Sequence, residues 1–395
     1  MSQEGFWLSL AKITGMLFSL LFAIAMANLI PQEVFGTYKF VLSAASVIGA
    51  FSLAGIGAAI TQAVARGYEG SLRSGVQECL KWSFGTIAIS LGAAIYYFYY
   101  HNYTLAVSFV IIGFCSPLIT SYSLFVQFIA GKKDFKTNAI YDSAKNIIPG
   151  IVLILTVFFT GNAVVIVLMY FVSSVIVAFL LHQRTVREYR PNNEIDPQTI
   201  SYGWHLSVMG VMGKAAEHID KILVFHYLGA AQLAIYAFAQ TPIAQLKLLN
   251  DIPAKLALPK FSERNFLELQ KSLPRKILIL MGIMAIVAGT YIVGAPLVFH
   301  LLFPRYLNSV IFSQILALSL ILIPGTIFGS ALSAHMKTKE LYISQAVPLI
   351  TKIGLFLLLI PPFGIWGVVW ATLASQLIVF VVYAYLFLSA KLVQS

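Results

Sequence analysis

Charge is scarce in this sequence. Asp, Glu, Lys and Arg together make up 10% of the 395 residues, where a soluble domain carries about 25%. With 59% hydrophobic residues beside that, the chain reads as an integral membrane protein made mostly of spans. Cysteine is nearly absent. Cys79 and Cys115 lie in or beside apolar segments with no metal-ligand spacing, so both read as packing residues. Acids are rarer than bases, 15 against 26, for a formal charge of +11. The bases are spread singly through short loops, with no dense patch and no interleaved aromatic platform, which argues against nucleic acid as a partner. The start, MSQEGFWLSLAKITG, has no basic n-region and no small-residue cleavage site, so it reads as an uncleaved first span. No nucleotide-binding loop, metal cluster or nucleophile arrangement is present, and no cofactor is expected.

What the chain does have is apolar runs of about 20 residues, the length that crosses a bilayer as a helix. Twelve are expected, at roughly 6–30, 36–64, 79–99, 104–128, 139–160, 163–183, 200–227, 231–252, 277–300, 307–332, 341–361 and 364–388. With the N-terminus in the cytoplasm, 18 basic residues fall in inside loops and only Arg305 falls outside. Among the inside ones are Arg66 and Arg73, then Lys132, Lys133 and Lys136, then Arg184, Arg187 and Arg190. The expected fold is all-α, with both termini inside. Residues 1–183 form one six-helix bundle, 184–199 a basic cytoplasmic linker, and 200–395 a second bundle.

The seventh span, ISYGWHLSVMGVMGKAAEHIDKILVFHYLG, carries an unusual set of charges for a membrane helix. At 100° per residue, Gly203, Ser207, Gly210, Lys214, Glu217 and Lys221 lie within about 40° of one line. Val208, Met212, Ala215, Ile219 and Leu223 make the opposite face. A charge at the bilayer centre costs about 2.5–3.5 kcal/mol on insertion scales, so a charged stripe is expected to line water, a ligand or a partner helix. Lys145 lies roughly 9 Å in from the cytoplasmic end of its span, Lys352 roughly 17 Å and Lys214 roughly 21 Å. Lys12, Lys39 and Lys247 are near enough to span ends to snorkel. For Lys214 and Lys352 two readings stay open: a hydrated cavity, or a buried ion pair such as Lys214 with Glu217. Glu217, Asp220 and His218 either carry a proton or Na⁺ or, more simply, neutralise lysines and fill the core. Asp142 and Lys145, one turn apart, read as a local pair. Ser43, Ser46, Ala50 and Gly57 give the second span a small-residue face suited to close packing.

Six spans plus six place the two halves in one orientation, as a parallel repeat requires. LIPQEVFGTYKF from Leu29 resembles LGAAQLAIYAF from Leu228, and AGKKDFK from Ala130 occupies the same loop as AHMKTKE from Ala334. ANLIPQEVFGTYKF, LAGIGAAITQAVAR and HIDKILVFHYLGAAQLAIYAFAQ together resemble the polysaccharide-transport (Wzx-type oligosaccharide flippase) branch of the multidrug/oligosaccharidyl-lipid/polysaccharide exporter superfamily. The resemblance implies two six-helix bundles in a V, alternating access, and export of undecaprenyl-pyrophosphate-linked oligosaccharide; the chain itself is expected to act as a monomer. On that reading Lys214, Lys221, Lys352 and Lys145 make the cavity cationic for the pyrophosphate, and Glu217, Asp220 and His218 couple the cycle to an ion gradient. A drug or organic-cation exporter of the same superfamily would need carboxylates to dominate. A membrane polymerase or ligase would need a sizeable outer loop, whereas the one around LLFPRY at 301–306 is short.

Overall fold

The computed structural model describes residues 3–390 except 54, 198, 263–265 and 336–337. Lys12, Lys255, Lys260, Arg264, Lys337, Lys339 and Lys391, named or counted above, have side chains outside the described set. Among the described residues every regular element is helical. Chain packing divides the molecule into two compact units, Met1–His218 and Ile219–Ser395.

In the first unit, α1 (Gln3–Leu29) is followed after Pro31 by α2 (Gln32–Gly49) and α3 (Ile56–Ala65). Then come α4 (Ser71–Tyr99), α5 (Tyr103–Tyr122), α6 (Phe125–Gly131), α7 (Phe135–Phe159) and α8 (Ala163–Tyr189). Three of these starts are set by one local device. The side chains of Asn102, Asp134 and Asn162 accept hydrogen bonds from the backbone N–H groups of Leu105, Thr137 and Val164 at 3.1, 3.0 and 2.9 Å. Each cap satisfies a donor that the helix leaves orphaned, worth about 1 kcal/mol. At the other end, α8 stops where Arg190 turns left-handed, at φ 44°, directly before Pro191.

The second expected span, 36–64, is not continuous. It breaks between α2 and α3, where Leu53 takes φ 56°. The broken turn is held from outside. Ser52 Oγ meets Thr86 Oγ1 at 2.7 Å, Thr86 Oγ1 donates to the Ile48 carbonyl at 3.3 Å, and Gly55 N–H donates to Ser207 Oγ at 3.0 Å. Non-helical backbone in an apolar setting persists only when such partners satisfy it. A Cβ on Gly55 would sit 2.3 Å from the Ser207 backbone nitrogen, so this approach requires glycine. The same contact places the start of the long helix α9 (Thr199–Ser262) within the first unit. The division thus falls between His218 and Ile219, inside α9 and later in the chain than the 184–199 segment where the expected bundles join.

The second unit takes the rest of α9, then α10 (Phe266–Leu302), α11 (Val310–Ala317), α12 (Thr326–Ala334) and α13 (Thr338–Ser389). α9 and α13 are each interrupted by a glycine of positive φ: Gly229 at φ 84°, ψ −179°, and Gly364 at φ 56°, ψ −131°. Those values strain any residue that carries a side chain. Both lie at the joints between expected spans, 227/231 and 361/364. The expected tenth span, 307–332, is instead a 3₁₀ turn, α11, a second 3₁₀ stretch at Leu318–Gly325 carrying Pro324, and α12. The expected fourth span, 104–128, is likewise split, between α5 and α6.

Those two splits correspond. α6 and α12 lie roughly 200 residues apart, near the offset of the sequence repeat. Each is also central to its own unit's core. Phe125, Phe128 and Ile129 pack with Ile56, Ile60 and Leu72, while Ile327, Phe328 and Leu332 pack with Phe266, Leu273 and Phe387. Away from the cores, apolar side chains point outward: Ile286 is 71% and Val293 84% exposed on α10. Among the described residues eight helical stretches are long and apolar enough to cross a membrane, and such an outward face suits acyl chains.

Candidate functional site

Two charged clusters lie on α9, one on each side of the division. In the first unit Lys214 Nζ donates to Glu217 Oε2 at 2.8 Å, and His218 Nε2 lies 3.8 Å from Glu217 Oε1. The lysine and glutamate are both about half exposed. Lys214 also lines a cavity of about 340 Å³. The small-residue face of α2 supplies one wall of it, through Ala45, Ser46, Gly49 and Ala50; Ser116 and Thr120 of α5 and Tyr170 and Ser174 of α8 supply the others. Of the face expected to serve close packing, Ser46 and Ala50 line this cavity, whereas Ser43 is buried and Gly57 packs closely against Gln127. The cavity offers one ammonium group among hydroxyls, a setting for an anionic, hydroxyl-rich ligand. Lys145 is not among the residues lining it. It pairs with Asp142 at 3.1 Å, as the local-pair reading holds.

In the second unit the glycine turns do the positioning. Folding α9 back at Gly229 brings Asp220 against Tyr236 and Gln240, which are one helical turn apart. α13, turned at Gly364, contributes Lys352 from one arm and Thr372 from the other. Tyr236 Oη donates to Asp220 Oδ2 at 2.9 Å and lies 3.0 Å from Thr372 Oγ1. Gln240 Nε2 donates to Tyr236 Oη at 2.6 Å and reaches Asp220 Oδ2 at 3.4 Å. Asp220 Oδ1 faces two ammonium groups, Lys352 at 3.4 Å and Lys221 at 3.6 Å.

Asp220 is 2% exposed. A carboxylate so placed carries a desolvation penalty of several kcal/mol unless it is paired and hydrogen-bonded. Here one carboxylate offsets one of two ammonium groups, and the cluster stays positive. Of the seven expected site residues, then, Asp220, Lys221 and Lys352 come together in the second unit, and Lys214, Glu217 and His218 in the first. Tyr236, Gln240 and Thr372 were not expected. A glutamine and a tyrosine one turn apart inside an apolar span were the available signal for the first two. Thr372 gives none, because a single threonine in a membrane helix is ordinary.

No curated protein matches the chain. Solved structures match it in fold. An outward-facing multidrug resistance MATE family transporter of the MOP superfamily aligns with TM-score 0.68 at 14% identity, over 96% of this chain and 92% of that one. A MOP superfamily transporter from Pyrococcus furiosus, described as having a binding pocket of reverse polarity, aligns with TM-score 0.62 at 13% identity over the same shares. The lipid II flippase MurJ, in an inward closed conformation, aligns with TM-score 0.64 at 14% identity, over 96% of this chain and 86% of that one. The chain thus has the fold of MOP superfamily transporters. The family model for polysaccharide biosynthesis proteins matches residues 1–265, and the chain belongs to that family.

Proposed function

We propose that this protein is a flippase. It moves an undecaprenyl-pyrophosphate-linked oligosaccharide, of the O-antigen repeat-unit kind, from the cytoplasmic to the outer leaflet of a bacterial inner membrane by alternating access. Family membership supports a role in polysaccharide assembly, and the shared fold with a lipid II flippase supports a lipid-linked cargo. The observation that carries the reading is the positive balance of charge around Asp220, beside a Lys214–Glu217 pair that is itself neutral. Lys214 sits in a hydroxyl-lined cavity, and around Asp220 lysines outnumber carboxylates. Moving pyrophosphate and sugar hydroxyls through hydrocarbon unaided is prohibitive. Ammonium groups and hydroxyls remove most of that cost, because they stand in for lost water. Pocket charge on this fold is a variable feature, as the reverse-polarity transporter illustrates. An organic-cation exporter would need the opposite sign from the one found here.

On this reading the chain crosses the membrane twelve times with both ends inside. The Gly229 and Gly364 turns divide α9 and α13 into two crossings each, and a monomer suffices. Coupling to H⁺ or Na⁺ falls to Glu217, with His218 beside it. The two ammonium neighbours of Asp220 already neutralise it, which supports a positioning role there. The transporters and the flippase that share its fold support reading the chain as a transporter and not an enzyme.

The test is transport. Lys214→Glu is expected to abolish movement of the lipid-linked glycan in proteoliposomes while the protein still inserts and purifies, because a reversed charge repels pyrophosphate. Wild-type movement in that variant removes Lys214 from the site. In cells without a substitute flippase, disrupting the gene is expected to leave the glycan on the cytoplasmic leaflet, and normal display outside counts against the assignment.

A further inference from the structure

A second cavity, larger than the one at Lys214 and sharing no residue with it, lies where α4 begins and α8 ends. Its volume is about 600 Å³, within the range of small-molecule sites. Arg73 comes from α4, His182 from α8, and Arg190 and Asn193 from the turn after α8; Gln77 and Gln183 add side-chain amides. Leu72, Val76, Val186 and Ile195 supply apolar wall. Among the described residues no carboxylate lines it.

Glu194, between Asn193 and Ile195, is not among the lining residues, and the other nearby acids are engaged elsewhere. Glu69 binds Lys132 at 2.6 Å, Asp196 binds Arg66 at 2.6 Å, and Glu188 takes Arg184 at 2.7 Å and the Tyr141 hydroxyl at 2.6 Å. Arg73 and Arg190 have no ion pair among the described residues. His182, 9% exposed, lines the same cavity, and its Nδ1 has no hydrogen-bond partner among the described residues. The loop forming the outer wall is already locked. Asn192 Oδ1 accepts from Glu69 N at 3.1 Å and Gly70 N at 3.3 Å, and Asn192 Nδ2 donates to the Gly67 carbonyl at 2.9 Å. A site held open this way costs its ligand little ordering entropy.

We propose that this cavity binds a phosphate-bearing polar headgroup. The two guanidinium groups take the phosphate oxygens, for which their planar forks are suited. The amides and His182 take hydroxyls, and the apolar wall takes the adjoining carbon. Both α4 and α8 are long and apolar enough to span, and the cavity lies at their ends, where a bilayer crossed by both helices would place its headgroups. An anionic glycerophospholipid presents this chemistry at that depth, and a soluble phosphate ester presents the same chemistry from water.

The full-length protein in nanodiscs distinguishes the two. Hydrogen exchange is followed at residues 70–77 and 182–195 in phosphatidylcholine alone, with added phosphatidylglycerol, or with added soluble glycerol phosphate. Slowed exchange confined to these segments with phosphatidylglycerol assigns the site to lipid, and slowing by glycerol phosphate alone assigns it to a soluble ester. The double variant Arg73→Gln, Arg190→Gln is expected to need roughly tenfold more of the effective probe, the scale of losing a charge-assisted hydrogen bond. Arg275→Gln, Lys276→Gln, which removes equal charge from the second unit, is expected to behave as wild type. The proposal is overturned if neither probe slows these segments, if slowing is uniform along the chain, or if the arginine variant responds as wild type. Should that variant not assemble, the wild-type arms decide alone.

Discussion

Asp220 is the residue whose role depends most on its surroundings. Its carboxylate faces Lys221 and Lys352 and accepts from Tyr236, all in a buried setting. Asp220→Asn keeps the shape and leaves two ammonium groups without their counter-charge, so a loss of about 3–5 kcal/mol is expected. A large drop in melting temperature of the purified protein checks this. Adding Lys352→Met removes one stranded charge and is expected to recover much of the loss. Asp134 makes a pH prediction. Burial works to raise its carboxyl, but hydrogen bonds from Tyr189 and Thr137 outweigh that and hold it below the ordinary 3.8. Its contribution to stability is therefore fully present above pH 3.8 and is lost as pH falls through the lower folded value. Acid melts of wild type are expected to decline below that pH, with a shallower decline in Asp134→Asn. In helical projection Asp220 falls to one side of the charged stripe, and nothing in that projection marks it as the buried member. The partners that bury it come from Tyr236 and Thr372, which are distant in sequence.

At the scale of elements, two glycines carry the second unit. Gly229 has an extended ψ with φ 84°, a conformation open essentially to glycine. Gly229→Val is expected to cost about 1–3 kcal/mol. Because the turn sets Asp220 against Tyr236, the variant is also expected to loosen that pair. Faster proteolysis after residue 229 in the detergent-purified protein checks the claim, and Gly229→Asn is expected to be milder. The apolar runs place most helices well, but the second expected span proved broken, while the fourth and tenth each remain one apolar stretch long enough to cross and only change helical form along the way. Hydropathy counts apolar side chains and is blind to backbone path. Leu53 reads as an ordinary span residue until Ser52, Thr86, Gly55 and Ser207 are seen to satisfy the broken turn around it. Pro324 alone hinted at the 3₁₀ stretch, and prolines such as Pro149 sit within continuous helix.

For the whole molecule, the proposed topology makes a direct prediction. In a background with Cys79 and Cys115 replaced by alanine, Arg305→Cys is expected to react with an impermeant thiol reagent added outside intact cells. Lys133→Cys and Arg187→Cys are expected to react only after lysis. Labelling of Lys133→Cys from outside inverts the orientation, and labelling of all three breaks the twelve-span count. The positive-inside bias that motivates this is a sum over many loops, so no single misplaced helix end alters it.

Composition alone settled that this chain lives in a membrane, since burying 59% hydrophobic residues with 10% charge leaves no other solvent for them. Local pattern settled the helical class, the spans that stayed whole and the Asp142–Lys145 pair, because these depend on neighbours within a turn or two. Only the tertiary structure decided which charges share a partner. Lys214 pairs along its own helix, whereas Lys352 reaches Asp220 from a helix more than a hundred residues away. Pairing at that distance is set by where two glycine turns fold the chain back, and one-dimensional periodicity carries no record of it.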